Sequence, residues 1–416
     1  MRYAIVGATI EDVRAAGGTD IKETRSIGVI FANLTEDQAR KLKDQGFIVS
    51  VVGEVKATVM PPTPIAATPT YTPSNLIAIA GYEELRGVVD PPLYGAGMNL
   101  AIVDTGIRET HEQVRGRVVY RKNFTSDPMR DGFDHGTGTA SIALSLAPEC
   151  NILDIKVLDD KGQGTEEELV FALDHLIELR DLGSEYAPHV INLSLGGPDD
   201  GNKYNPVRMA CREAIRRGVW VFAAAGNGGP GARTIMSPAC EQYVFAAGSA
   251  RYLIDQKTFV VSDFSSRGPT LEGITKPDAV LFGEDMIMAS SVSDTDTVYK
   301  SGTSFASPFG AGMGLLYLEG VIRRARTLVE MGELPAAEMY YVPPDVMIDQ
   351  YFPRVCIKPA GALSGKDYEY GYGLPFGPLI AQAVQPKTTV DVGSIIMYML
   401  PVMMMGMVIP MMGRGE

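Results

Sequence analysis

Asn99-Leu-Ala-Ile-Val-Asp-Thr-Gly106 is an uncharged run that ends in an acid and a glycine. A strand covered on both faces reads as such a continuous apolar run, because neither side of its pleat meets water. Its apolar core, Leu100–Val103, has counterparts at Ile152–Val157, Val190–Leu195, Val219–Ala224 and Tyr243–Ala247. Helical stretches lie between them: Thr165–Leu182, opened by the capping box Thr165-Glu-Glu-Glu168, and Pro206–Arg217. Strands alternating with helices predict an α/β fold, a doubly wound, mostly parallel sheet flanked by helices. Ligands of such sheets bind at the carboxyl ends of the strands, and that is where Asp104 falls.

Outward from this core the chain divides into four parts. Residues 1–59 predict a small α+β unit in the order β-α-β-β-α-β, a ferredoxin-like arrangement. Its strands are Arg2–Val6, Ile21–Thr24, Ile27–Phe31 and Phe47–Val52; one helix covers Ile10–Ala16 and a second follows the capping box Thr35-Glu-Asp-Gln38. Residues 60–74, rich in Pro, Thr and Ala, predict an extended linker open to proteolysis. The α/β unit is expected over 75–384, followed by a linker and an apolar tail over 385–416. Within that tail Ile395–Met412 carries no charge. It is read as a membrane anchor near the lower length limit, the alternative being a Met-rich strip docked on protein. No secretory leader is visible at the N-terminus, so an intracellular or a membrane-tethered protein is expected as readily as a secreted one.

A net charge of −13 argues against nucleic acid as a partner, since neutralising phosphates takes a Lys/Arg excess. Cys150, Cys211, Cys240 and Cys356 are scattered without CxxC or Cys/His spacing, so neither a disulfide framework nor a zinc site is supported.

Three reactive residues stand out. Asp104 before Thr105-Gly106 is placed to orient a base, although an acid there is as often a turn former. Asp-Thr-Gly also marks aspartic proteases, but their chemistry needs a second such carboxylate and the chain has none. His135, in Asp134-His-Gly-Thr-Gly-Thr-Ala140, leads into an apolar helix at Ser141–Leu146; the other histidines, His111, His175 and His189, sit in loop, charged-helix and strand-entry contexts. Ser304, in Ser301-Gly-Thr-Ser-Phe-Ala-Ser-Pro308, opens a helix whose N-terminus suits a developing oxyanion. Asn227 closes an apolar strand and brings an amide donor to the same edge.

The order Asp, His, Ser is that of subtilisin rather than of chymotrypsin or the α/β-hydrolases. Asp104-Thr-Gly106, His135-Gly-Thr137 and Gly302-Thr-Ser-Phe-Ala-Ser-Pro308 resemble the three catalytic motifs of the subtilase family, and Ala224-Ala-Gly-Asn227 its oxyanion-hole segment. Asn192-Leu-Ser-Leu-Gly-Gly197 resembles its substrate-binding strand; Phe264–Pro269 and Lys276–Asp278 are also similar. The resemblance implies a serine endopeptidase acting on polypeptides through Asp104, His135 and Ser304, with Asn227 at the oxyanion and no cofactor required. Ser194, Leu195, Gly196, Ala225 and Gly226 would line the cleft, with 194–196 pairing an extended substrate as an added strand. It further implies that residues 1–59 are a propeptide, an intramolecular inhibitor with Glu54–Met60 in the cleft until cut somewhere from Thr58 to Asn75. Activity is expected to fall on acidification through roughly pH 6–7 as His135 protonates.

The pattern departs from the family at several points. Gly138-Thr-Ala follows His135-Gly-Thr where a second His is usual, and Leu281-Phe-Gly283 replaces Ala-Pro-Gly. Ser145–Cys150 runs straight to the next strand where a calcium loop is usual, and Gln113 stands where an Asp ligand is expected, so that calcium site is expected to be absent, calcium elsewhere staying open. Two rivals remain to be weighed: a catalytically silent scaffold with a binding or structural role, and a dinucleotide enzyme suggested by Gly310-Ala-Gly-Met-Gly314. The second fails because those glycines fall inside a helix, with no ribose-binding acid after them.

Overall fold

The computed structural model describes residues 1–60, 72–332 and 342–384. The expected linker core (61–71) and the Ile395–Met412 stretch therefore lie outside the described residues.

The N-terminal unit runs β1 (Arg2–Val6), α1 (Ile10–Ala15), β2 (Thr19–Glu23), β3 (Val29–Asn33), α2 (Glu36–Asp44) and β4 (Ile48–Val51), with an antiparallel sheet in the order β2-β3-β1-β4. Both helices open on the capping boxes at Thr9 and Thr35. The strand expected at Ile27–Phe31 begins two residues later. Gly28 sits at φ +74° and Arg25 and Ser26 donate their N–H groups to Asp174, so Ile27 belongs to the turn. Alternation along β3 gives the sheet two apolar faces. Ile30 and Ala32 join Val13, Leu42 and Tyr3 in the unit's own core, while Val29 and Phe31 bury against the rest of the chain. A further strand, β5 (Glu54–Ala57), leaves this sheet altogether.

The second unit begins earlier than residue 75. Thr72 caps α3 (Pro73–Ile79) in a reciprocal box with Asn75, with Pro73 at the first helical position, so the linker ends at Thr72. After α4 (Tyr82–Arg86) come β6 (Asn99–Asp104), β7 (Val118–Asn123), α5 (Gly136–Leu146), β8 (Asn151–Lys156), β9 (Gln163–Thr165), α6 (Glu166–Asp181), β10 (Val190–Leu193), β11 (Leu195–Gly196), α7 (Pro206–Arg216), β12 (Trp220–Ala224), β13 (Phe245–Leu253), β14 (Thr258–Val261), β15 (Ala279–Phe282) and, beyond a short hairpin, α8 (Thr303–Glu330). The main sheet has the order β14-β13-β12-β10-β6-β8-β7, with β15 also on β13. All its pairings are parallel except β13–β14. The expected strand at Tyr243–Ala247 runs on to Leu253 because its second half pairs with that antiparallel edge.

The helix expected from Ser141 begins five residues sooner, directly after His135. Gly136 and Gly138 continue it because the packing there leaves no room for a side chain: a Cβ at Gly136 would lie 2.3 Å from Gly106 O, and one at Gly138 2.4 Å from Met288 Sδ. The apolar α8 is long enough to cross a membrane but is a core helix, 89% buried over its most apolar window. Its glycines are contact points, Gly312 on Ala143 and Leu146 of α5, Gly310 and Gly314 on Phe222, which accounts for the Gly-Ala-Gly-Met-Gly run. All four cysteines are free.

Candidate active site

The parallel register aligns the reactive ends of three strands. Val190 sits beside Leu100 and Trp220, and Leu193 beside Val103 and Ala223. Asp104, Ser194 and the Ala225–Asn227 segment therefore leave the sheet at one edge, as the switch-point rule requires.

Asp104 is fully buried, and its Oδ1 accepts from Thr105 N at 2.7 Å and from His135 Nδ1–H at 2.6 Å. With the proton on Nδ1, His135 Nε2 is left as a base, and it has no partner among the described residues. The His135 ring lies 5.5 Å from the ring of Phe305, the neighbour of Ser304, so the base and the nucleophile's helix are packed together. Asp134, at φ +62°, turns the chain into His135. Burial opposes ionisation of its carboxyl, but bonds from Ser291 N and Ser290 Oγ and the charge of Lys300 outweigh that and hold its pKa below the usual value.

Sequence reasoning missed Asp131. This buried carboxylate accepts from Thr105 Oγ1 (2.8 Å), His135 N (3.1 Å), Thr137 N (2.9 Å) and Thr137 Oγ1 (2.7 Å), while Thr105 Oγ1 accepts in turn from Gly136 N. It thus ties the residue after Asp104 to the backbone of His135, as a positioning residue. Its only sequence signal is an acid four residues before the histidine.

Ser304, buried at the start of α8, donates its hydroxyl to Ser194 O at 2.9 Å. Ser194 Oγ donates back to Ser304 O at 2.6 Å, and Asn192 holds both Ser194 Oγ and Ser307 Oγ, so the nucleophile's helix is pinned to the end of β10. Asn227 Oδ1 accepts from Thr303 N and Thr303 Oγ1, which fixes its Nδ2 facing the cleft.

The cleft holds the chain's own segment 54–60. β5 pairs antiparallel with β11 on one side (Leu195↔Ala57, Gly196↔Lys56) and with β9 on the other. Thr58 N reaches Ser194 O at 3.3 Å, Thr58 O accepts from Asn227 Nδ2 at 2.8 Å, and Met60 N donates to Ser301 O. Thr58 Oγ1 lies 2.7 Å from Ser304 Oγ. A Cβ at Gly302 would sit 2.7 Å from Thr58 O, so only glycine lets this carbonyl approach. Of the expected cleft residues, Ser194, Leu195 and Gly196 bond or pair with 56–58. Ala225 and Gly226 precede Asn227, where Ala225 O accepts from Met236 N and Gly226 N donates to Thr303 Oγ1. Among the described residues no group of three or more His, Cys, Asp or Glu side chains is gathered to hold a metal ion.

Residues 95–326 match the model of the subtilase family, a span of more than half the chain. The serine protease AprX of Bacillus subtilis is 32% identical over 260 residues, covering 55% of this chain and 58% of that protein. Proteinase T of Parengyodontium album is 32% identical over 231 residues, 54% of this chain and 72% of that one. The chain thus spans little more than half the length of some curated relatives it matches. Among solved structures, fervidolysin from Fervidobacterium pennivorans, described as a keratinolytic enzyme related to subtilisin, superposes with a TM-score of 0.67 at 20% identity over 93% of this chain and 61% of its own. That likeness speaks to fold alone. The S41 psychrophilic protease gives a TM-score of 0.55 at 27% identity, over 71% of this chain and 97% of its own. With its fold, its strand-end Asp, His and Ser and its matched span in agreement, this chain belongs to the subtilase family.

Proposed function

We propose that the chain is a serine endopeptidase that hydrolyses peptide bonds through Ser304, His135 and Asp104, and that its first substrate is its own Thr58–Val59 bond. The observation that carries this reading is the Thr58 carbonyl, 2.8 Å from Asn227 Nδ2, at the end of a strand hydrogen-bonded on both sides. Main-chain pairing of this kind supplies affinity without regard to sequence, as a protease cleft requires.

In the reaction, Ser304 Oγ leaves its bond to Ser194 O and attacks the Thr58 carbonyl carbon while His135 Nε2 takes the hydroxyl proton. Asp104, bound to Nδ1, holds the ring and stabilises its charged form. Asn227 Nδ2 donates to the oxyanion. The imidazolium then gives its proton to Val59 N as the Thr58–Val59 bond breaks, leaving residues 1–58 as an acyl ester on Ser304 that water hydrolyses. Held in the cleft by β5, the N-terminal unit acts as a propeptide and inhibitor until it leaves.

The test is the intact mass of the purified chain beside Ser304→Ala, with casein as an added substrate. Active protein sheds residues 1–58, exposes Val59 as a new N-terminus and degrades casein, while Ser304→Ala stays whole and inert. If both stay whole and inert even after residues 1–58 are removed by an added protease, the silent-scaffold reading replaces this one. The membrane anchor at Ile395–Met412 belongs to the same proposal as a tether; partition of the chain, but not of one truncated at residue 384, into lipid vesicles tests it.

A further inference from the structure

Resting on the protease reading, the walls beside Thr58 carry a statement about which bonds are cut. The residue before the cut lies between two segments: Thr58 N and Oγ1 both reach Ser194 O, and Thr58 O is held by Asn227. Residues 236–237 bridge those segments behind it. Met236 N donates to Ala225 O at 2.9 Å, and Ser237 and Gly197 exchange bonds of 2.9 and 3.0 Å.

Two glycines, Gly196 and Gly226, stand against this bridge and contribute no side chain of their own. Met236 packs against both. A Cβ built on Gly226 would lie 2.6 Å from Met236 Cγ and 2.8 Å from its Sδ; one on Gly196 would lie 3.4 Å from both Cβ and Cε of the same side chain. Ser266 Oγ, buried and accepting from Gly228 N, closes the remaining side, 2.7 Å from the same Gly226 position. The space beside the glycines thus holds a thioether chain, and the residue that occupies the cleft between Ser194 and Asn227, Thr58, is small, buried and satisfied by Ser304 Oγ and Ser194 O.

We infer that Met236 is a specificity-determining residue that closes the floor of the pocket for the residue before the cut, so that the protease cleaves after small side chains (Ala, Ser, Thr, Val) and rejects Phe, Tyr and Leu. A pocket discriminates by roughly 10–200-fold per methylene group. A ring several carbons larger than Thr must displace Met236 or stay out.

The experiment compares kcat/KM on tetrapeptide chromogenic substrates ending in Ala, Thr, Leu or Phe, for the processed wild type and for Met236→Ala and Met236→Gly. The wild type is expected to favour Ala and Thr over Phe by ~100-fold or more. Both variants should raise the Phe-to-Ala ratio, Gly more than Ala. In the full chain, Thr58→Phe should stall self-cleavage, and Met236→Gly added to it should restore the mass loss of the N-terminal fragment. A wild type that cuts the Phe peptide as well as the Ala peptide overturns the inference whether or not the variants fold. So does an unchanged ratio in folded variants. A wild type that cuts no peptide and not its own chain overturns the protease reading instead, and this inference falls with it.

Discussion

The N-terminal unit is fastened to the rest of the chain at two places built from different forces. In the cleft the fastening is backbone: β5 between β11 and β9, with Thr58 between Ser194 and Asn227. On the outer face of α6 it is side chains. The ring of Phe31 packs tilted against that of Phe171, centroids 5.6 Å apart, and Ala4, Val29 and Phe31 bury in the cluster that contains Val170, Leu173 and Ile177. Around that apolar centre Arg2 binds Glu167, Arg25 N and Ser26 N bind Asp174, and Gly53 N binds Glu166. Two of those carboxylates, Glu166 and Glu167, lie in the first turn of α6, where the helix dipole favours them. Under the proposed cut at Thr58–Val59, the bond broken belongs to neither place: β5 and the residues on the α6 face both stay with residues 1–58. On the proposed function, a cleaved unit is therefore expected to stay docked, with inhibition outlasting processing until both places let go.

The largest effect should come from emptying the centre of the α6 face. Phe31→Ala removes a fully buried ring, a change that costs about 3–5 kcal/mol shared between the unit's own folding and its docking. The cleaved fragment should then separate from the enzyme on gel filtration, with early onset of casein hydrolysis. A fragment that still co-elutes would place the attachment in the cleft alone. The complementary break is Asn227→Ala. It removes the donor to the Thr58 carbonyl and should slow appearance of the Val59 N-terminus by roughly 10²–10³. Fragment retention after cleavage should not change, because no contact of the α6 face is touched.

Much of the candidate site was legible in the sequence because each of its members sits beside a chain feature that is itself local: Asp104 at the end of an apolar run, His135 before glycines, Ser304 at a helix start. Asp131 was not legible. Its role lies in bonds to Thr105, His135 and Thr137, and an acid in a glycine-containing loop predicts none of them. Met236 was hidden for a related reason. It lies 40 residues from Gly196 in the chain, and only the exchange between Gly197 and Ser237 brings it under the cleft. The early start of α5 failed on propensity, since glycine weakens a helix unless close packing demands it, and here Gly106 O and Met288 do. Thr58 opened the expected bracket, Thr58 to Asn75, but was not singled out, because the proposed choice of bond rests on which carbonyl reaches Asn227.

The finest test of the contrast is acid. Backbone pairing in the cleft does not titrate, whereas the α6 face includes Glu167, bound by Arg2 Nε and one terminal nitrogen at 2.6 Å each and approached by Lys22 at 3.3 Å. Burial alone would raise the Glu167 pKa. The hydrogen bond and charge of Arg2, with Lys22 behind them, outweigh burial and hold it below 4.5. A depressed carboxyl pKa means that the docked state favours the ionised form. Its contribution is therefore complete above about pH 4.5 and is lost as pH falls through the lowered value. Dissociation of the cleaved fragment, followed as loss of co-elution on gel filtration between pH 7 and pH 4, should accelerate at the acid end. Glu167→Gln should dissociate faster at neutral pH and show a flatter profile, an effect of about 1 kcal/mol or less for one partly exposed pair. Equal acid profiles in the two proteins would move the titrating group off Glu167 and leave Asp174 and Glu166, which accept from Arg25 N, Ser26 N and Gly53 N on the same face, as the groups to replace next.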